Sequence, residues 1–231
     1  MLRMILLMVS IGSAVLSWNP HQDIRSASGQ DAKAWIQELA VKQGRIETLT
    51  GRFTQRKEAS FMGEPLISSG QVRFKRPDRI YLAYDPPRPV VISIDGQRMQ
   101  IYHVDRGQME QYALRSAMRS APFWEPFLQV FQKPFPALER IYHVTYRGLE
   151  GKRLHHFLLL PKEEKTRRFL AQMELWIDGG SGAIERFLMI ESQGDRLRLD
   201  FENLRINPPL GDEEFEIRIP PGVKIVEPSG P

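Results

Sequence analysis

The stretch GQVRFKRPDRIYLAYDPPRPVVISIDGQRMQIYHVDRGQMEQYAL, residues 70–114, decides the fold of this chain. Apolar and polar residues alternate along it in short runs. Each run ends at a turn signal such as Asp85-Pro-Pro-Arg-Pro89 or Asp95-Gly96, and the Asp-Gly pair is typical of tight hairpins. Because hairpins join antiparallel neighbours, the stretch predicts a curved antiparallel meander whose concave face is strongly apolar.

The same alternation continues on both sides of this stretch and extends the predicted sheet. A first strand begins at Leu49-Thr-Gly-Arg-Phe-Thr-Gln55, with Phe53 pointing inward. Five further strands are predicted over residues 140–147, 153–160, 169–177, 184–192 and 196–206. The pattern favours one large, mainly β domain with few helices, in the α+β class.

Two segments break the alternation and predict helices. Apolar residues at helical spacing predict a helix over residues 32–46, for which Asp31 can serve as N-cap. Residues 116–136, which we call the flap segment, are rich in Phe and Pro, and prolines bracket short pieces of it. It predicts one or two brief helices. These are too short to be stable alone, so they must lie on an apolar surface as a plug or a lid.

Composition excludes several classes of site. The chain has 231 residues, no cysteine and a formal net charge of +4. Without cysteine, it can form no disulfide, thiolate nucleophile, zinc–thiolate site or lipid anchor on a cysteine. Its basic residues are spread along the strands and form no concentrated stripe, which argues against nucleic-acid binding.

The N-terminus has the features of a targeting segment. Arg3 precedes an apolar run, residues 4–16, that is too short to span a bilayer comfortably. We expect residues 1–17 to be a cleaved signal peptide, residues 18–30 a flexible segment, and residues 31–228 the domain. An N-terminal membrane anchor is the alternative. A secreted chain without cysteine suits the bacterial periplasm.

No catalytic or metal-binding pattern is apparent. The five histidines lack paired ligand spacing, and adjacent His155 and His156 in a strand point to opposite faces. The Gly-Gly-Ser-Gly run at 179–182 lacks the spacing of a nucleophile elbow and predicts a turn. No acid–base pair is positioned by the sequence. We therefore expect no enzyme activity, no catalytic residues, no metal and no cofactor.

Two features call for a functional explanation. The sheet carries more large apolar side chains than one layer can hide, so either helices or a ligand cover them. Arg76, which follows Val72 and Phe74 by alternation, is directed to the same apolar face. An arginine directed inward needs a partner, whereas one at the rim can extend to water; the pattern leaves both open.

The chain resembles the LolA family, periplasmic carriers that move lipoproteins from the inner to the outer membrane. The matching pieces, in order, are Leu49-Thr-Gly-Arg-Phe-Thr-Gln55, Phe74-Lys-Arg-Pro77, Tyr84-Asp-Pro-Pro87, Asp95-Gly96, Ile101-Tyr102, Phe215 and Pro220-Pro-Gly-Val223. The resemblance implies a single, strongly curved antiparallel sheet that forms an open half-barrel of about eleven strands. Short helices close its mouth as a lid.

The resemblance also implies the roles of particular residues. Arg76 stands where the family has the arginine that holds the helical lid, and the flap segment is the nearest candidate for its partner. The residues expected to line the acyl-binding cavity are Phe53, Val72, Phe74, Ile80, Leu82, Tyr84, Ile92 and Ile101. The residues expected in the lid are Phe123, Phe127, Leu128 and Phe131.

The implied function is a periplasmic shuttle for the acyl chains of lipoproteins. Its partners would be an inner-membrane lipoprotein-releasing transporter and an outer-membrane lipoprotein receptor. We expect a monomer without stable membrane insertion. Two alternatives stay open: a periplasmic sensor or scaffold module that binds a protein partner, and a carrier of another amphiphile such as a glycolipid.

Overall fold

The computed structural model of the protein describes residues 29–60, 63–120 and 124–227. One sheet of twelve strands dominates this part of the chain. The strands are β1 (Thr48–Glu58), β2 (Leu66–Lys75), β3 (Arg79–Tyr84), β4 (Val90–Ile94), β5 (Arg98–His103), β6 (Gln108–Ala113), β7 (Tyr142–Glu150), β8 (Leu154–Pro161), β9 (Leu170–Asp178), β10 (Ile184–Glu191), β11 (Arg196–Ile206) and β12 (Lys224–Val226).

The strand order across the sheet is β12-β6-β5-β4-β3-β2-β1-β11-β10-β9-β8-β7. Neighbours are antiparallel except β12, which runs parallel to β6. Since β12 and β7 lie at opposite ends of this order, the sheet is curved but unclosed. This is the expected open half-barrel.

Five helices accompany the sheet in the described part of the chain, and the first four contribute buried residues to the core on the concave face. They are α1 (Gly29–Gly44), α2 (Leu114–Ser120), α3 (Trp124–Gln132), α4 (Phe135–Ile141) and α5 (Glu164–Arg167). Leu39 of α1, Leu128 of α3 and Phe135 of α4 are buried in one core together with the inward residues of the strands. The helices and the concave face therefore share a single apolar interior.

The pairing of β1 with β11 joins the first and second halves of the sheet. Phe53 of β1 lies opposite Phe201 of β11, and both point into the core. Phe53 also packs against Gly70 of β2. A Cβ at Gly70 would come within 2.8 Å of the Phe53 ring, so glycine is needed for this close approach.

The C-terminal residues 208–227, which we call the strap, cross the convex face of the sheet. Thr48 donates a hydrogen bond to the carbonyl of Pro208 (2.6 Å) at one end, and β12 pairs with β6 at the other. Between them Phe215 is buried, and the hydroxyl of Ser93 donates to its carbonyl (2.6 Å). The strap is therefore bound along its length.

Most predicted elements occur close to their expected positions, with three differences. Helix α1 begins at Gly29, so Asp31 lies inside the helix and is not its N-cap. The flap segment contributes to three helices, α2, α3 and α4, and not to one or two. The sheet has twelve strands, in agreement with the expected number of about eleven, but the short parallel strand β12 carries too little alternation to be predicted.

The predicted signal peptide and most of the segment after it lie outside the described residues. Within the described ranges, no helix has the length and apolar character needed to cross a membrane.

Candidate functional site

A cavity of about 70 Å³ lies between the concave face and the helices that cover it. One side of its floor comes from alternate residues of two neighbouring strands, Val72 and Phe74 of β2 with Ile80 and Leu82 of β3. Phe201 of β11 contributes from the other half of the sheet. Because all five side chains are buried and apolar, this floor can hold only apolar groups.

The roof of the cavity is mainly helix α3. Phe127, Val130 and Phe131 line the cavity at the i, i+3, i+4 spacing of one helix face. The Phe131 ring lies 5.7 Å from that of Phe201 and 6.1 Å from that of Phe187 on the sheet. Aromatic packing thus holds α3 against the floor.

Arg76 lies at the rim, at the end of β2, and lines the cavity. Its Nε donates to the carbonyl of Ile46 (2.6 Å) and its Nη2 to that of Gln43 (2.8 Å). Gln43 is in the last turn of α1, where carbonyls have no partner inside the helix. The helix end that Arg76 binds is therefore that of α1, and the prediction that it would bind the flap segment is wrong on this point.

The C-terminal end of α1 is also fixed from the opposite side of the half-barrel. Lys42 donates a hydrogen bond to the carbonyl of Gly179, in the turn between β9 and β10. Gly182 in the same turn has φ +77°, and a Cβ there would lie 2.8 Å from the backbone nitrogen of Gln43. Two corners of the sheet thus hold one helix end above the cavity.

The lining carries two charged residues, Arg76 and Lys133, and both are cations. Deeper in the interior, Tyr84 donates a hydrogen bond to the side-chain oxygen of Gln55 (2.8 Å), so both buried polar groups are satisfied. Burial raises the pKa of Tyr84 well above its usual range, and this hydroxyl therefore stays neutral.

The predicted cavity and lid residues fall into three groups. Val72, Phe74, Ile80 and Leu82, together with Phe127 and Phe131 of the predicted lid, line the cavity. The others pack in or against the continuous core around it: Phe53, Tyr84, Ile92, Ile101 and Leu128. Phe123 lies outside the described residues.

Several lining residues were not predicted from the sequence. Gln43, Ile46 and Leu49 come from the end of α1, the short connection after it and the start of β1, while Ala183 and Phe201 come from the second half of the sheet. Leu197, Leu199 and Phe201 alternate with Arg196, Arg198 and Asp200, which is typical of one dry and one wet face and agrees with the inward position of Phe201. What the sequence did not show is which inward residues meet under α3.

The two adjacent histidines point to opposite faces of β8 and contact different partners. His155 contacts the ring of Trp35 from α1, whereas His156 stacks on Trp176 and bonds Glu174 (2.6 Å) on the convex side. In the described part of the chain, no group of three or more His, Cys, Asp or Glu side chains could hold a metal ion.

The cavity is too small to hold a long apolar ligand. Pockets for drug-sized ligands have volumes of roughly 300–1,000 Å³, whereas about 70 Å³ has room for only a few water molecules. The apolar floor is extensive, but α3 covers it. A long apolar ligand can reach this floor only if the roof moves.

Comparisons with known proteins agree with this architecture. The sequence profile of the family described as "Outer membrane lipoprotein carrier protein LolA" matches residues 44–218. The outer-membrane lipoprotein carrier protein of Pseudomonas paraeruginosa is 23% identical over 202 residues, covering 87% of this chain and 92% of its own. That of Cupriavidus necator is 26% identical over 187 residues, covering 79% and 82%.

A solved structure shares the fold. An uncharacterized conserved protein from Thermus thermophilus superposes with a TM-score of 0.54 at 10% identity, covering 86% of this chain and 100% of that one. The family profile spans well over half of the chain and runs from the end of α1 to beyond Phe215. The protein is therefore a member of the LolA family.

Proposed function

We propose that the protein binds the acyl chains of lipoproteins on its concave face and carries them from the inner to the outer membrane. One observation carries the proposal: a continuous apolar floor is covered by a separate short helix whose phenylalanines pack against it. The names of the relatives, outer-membrane lipoprotein carrier proteins, support the same cargo.

The energetics suit reversible binding. Helix α3 has nine residues, too few to be stable alone, so its packing on the floor holds it in place. An acyl chain gains about 0.8 kcal/mol for each methylene group that it buries. Several chains can therefore displace α3 without any specific polar contact, and α3 can displace them again when another protein takes them up.

Arg76 acts as the latch of the closed state in this proposal. Its two hydrogen bonds keep the end of α1 over the cavity, next to α3. When the roof closes, these bonds re-form and help to expel the cargo. Arg76 therefore favours release more than loading.

The proposed setting follows from the cargo. The protein works in the periplasm as a monomer, without inserting into a membrane and without a cofactor or a catalytic step. An inner-membrane lipoprotein-releasing transporter loads it, and an outer-membrane lipoprotein receptor unloads it.

The first test is to identify what the protein carries. The protein is exported in a Gram-negative host, purified from the periplasm without detergent, and analysed by lipid and peptide mass spectrometry. Triacylated peptides are the expected result. A glycolipid, or a protein partner without lipid, in place of acylated peptides would overturn the proposal.

A second test locates the binding surface. An apolar dye should bind the purified protein and be displaced by a triacylated peptide. Phe74→Glu places a charge on the floor and should abolish this displacement. Gln71→Glu is the matched control, because it puts the same charge on the exposed face of the same strand. Far-UV and near-UV circular dichroism of both variants show whether they are folded. Equal displacement by Phe74→Glu and wild type would contradict the proposed surface.

A further inference from the structure

The hairpin that carries Arg76 has an unfavourable arrangement of charges. Lys75, the last residue of β2, lies directly opposite Arg79, the first residue of β3. Like charges in directly opposed positions destabilise a strand pair. Arg76 itself follows Lys75, so three cations occupy five consecutive residues at this corner of the sheet.

The strap supplies the compensating charge from the convex face. One carboxylate oxygen of Asp212 accepts from Lys75 Nζ (2.7 Å) and the other from Arg79 Nη2 (3.1 Å). Lys75 also donates to the carbonyl of Leu210 (2.9 Å). One acidic side chain thus bridges both strands of the hairpin.

A second contact with the strap is made two residues earlier on β2, on the same face of the strand. Arg73 donates to the carbonyl of Glu214 (2.8 Å) and lies 3.3 Å from its carboxylate. Its guanidinium also stacks over Tyr81, its opposite residue on β3, at 4.9 Å from the ring centre. The outward cations of this hairpin are therefore bound to the strap, while Arg76 points inward to α1.

We infer that Asp212 is a positioning residue for Arg76: the strap holds the β2–β3 hairpin from the convex side, so that the guanidinium of Arg76 reaches the end of α1. The inference rests on the role of Arg76 given under the proposed function. The backbone N–H of Arg76 donates to the carbonyl of Glu47 (2.8 Å), the residue before β1, so the guanidinium stays next to the chain that follows α1. Because Arg76 directly follows Lys75 in the chain, movement of this end of the hairpin moves Arg76 with it.

Replacing Asp212 by Asn tests this link with a minimal change of shape. The amide removes the negative charge between Lys75 and Arg79, which then repel each other across the strand pair. The hairpin end should separate slightly and the hydrogen bonds of Arg76 to α1 should break more often. Asp212 is exposed, so the fold should tolerate the change.

The readout is amide hydrogen exchange, measured by NMR, at the chain just after α1. The N–H groups of Arg45 and Ile46 donate to the carbonyls of Lys42 and Gln43 (3.1 Å each), and they exchange when this helix end opens. We expect Asp212→Asn to accelerate their exchange about twofold or more. Asp212→Glu should restore the wild-type rate.

A double-mutant cycle separates positioning from a general loss of stability. If Asp212 acts through Arg76, Asp212→Asn should accelerate exchange in the wild-type background but not in Arg76→Lys. Glu58→Gln is the matched control, because it breaks another exposed ion pair, with Arg56, at the far end of β1. Unchanged exchange in Asp212→Asn, or an effect that adds fully to that of Arg76→Lys, would overturn the inference.

The same variants distinguish this inference from the proposed function. The rate of apolar-dye binding reports access to the cavity and is measured alongside exchange. If Asp212→Asn and Arg76→Lys both accelerate exchange near α1 but neither changes dye binding, Asp212 positions Arg76 while the latch role of Arg76 is wrong. If Arg76→Lys changes dye binding and Asp212→Asn changes neither measurement, the latch stands and the positioning role is wrong.

Discussion

Phe127→Ala should allow the protein to bind acyl chains that are too short to bind to the wild type. Phe127 is 5% exposed, lines the cavity and packs its ring against Phe131 (4.8 Å) and Phe187 (5.7 Å). Phe127 is thus one of the side chains through which α3 packs against the floor of the cavity. If cargo and α3 compete for the same surface, any packing free energy that α3 loses must appear as an equal gain in the binding free energy of the cargo.

The size of the shift can be worked out from this contact. Truncating a buried phenylalanine to alanine costs about 3 kcal/mol at the lower end of the usual range. A methylene group contributes about 0.8 kcal/mol when it is buried. The loss of the Phe127 ring therefore corresponds to roughly four methylene groups of cargo.

The assay is displacement of an apolar dye by a series of single-chain acylated peptides that differ in chain length. In Phe127→Ala, a chain about four carbons shorter should displace the dye as well as the longer chain does in wild type. Phe135→Ala is the matched control, since Phe135 is fully buried in α4 but does not line the cavity. An unchanged length dependence, or the same shift in the control, would refute competition between α3 and cargo.

Three further predictions follow from the N-terminus, the latch and a buried histidine. Intact mass of the exported protein should give an N-terminus near Trp18; residues 1–17 retained in the membrane fraction would contradict this. Arg76→Lys should load cargo but transfer it slowly to an outer-membrane acceptor, because lysine keeps the charge but lacks the planar fork that bonds both carbonyls, and Arg76→Leu should be slower still; wild-type transfer by both would exclude the latch. Burial lowers the pKa of His155 from 6.5, so the folded state binds fewer protons than the unfolded chain and stability falls as pH drops below about 6.5. Urea unfolding between about pH 7.5 and pH 5.5 should show a smaller fall in His155→Gln; an equal fall would assign the pH dependence to other groups.

The strands were predictable because their signals are local. Antiparallel hairpins pair residues that are close in sequence, and alternation with Asp-Gly or Gly-rich turns marks each of them. Helix α4 was harder, because it begins inside the flap segment and its last two residues, Arg140 and Ile141, fall in the strand predicted over residues 140–147. Pro136 lies in the first turn of α4, where proline is favoured. In this context proline indicates where a helix begins, not only where one ends.

The candidate site was predictable in its chemistry but not in its contacts. Alternation directed Val72, Phe74 and Arg76 inward, and the structure places all three at the cavity. The partner of Arg76 could not be found in this way, because any helix end offers the same unpaired backbone carbonyls. Only the folded chain shows that the carbonyls of Gln43 and Ile46 are the ones within reach.

The corrected partner of Arg76 divides the roof into two parts held by different forces. Helix α3 is held by aromatic packing on the floor, whereas the end of α1 is held by hydrogen bonds from Arg76 and Lys42. In the proposed mechanism an acyl chain replaces the first kind of contact, since it would bury the same apolar surface, but it offers nothing to the carbonyls of α1. Cargo should therefore displace α3 directly. If the inference about Asp212 holds, the end of α1 should respond to polar changes at the β2–β3 hairpin, and loading and latching should then be altered by separate residues of the same roof.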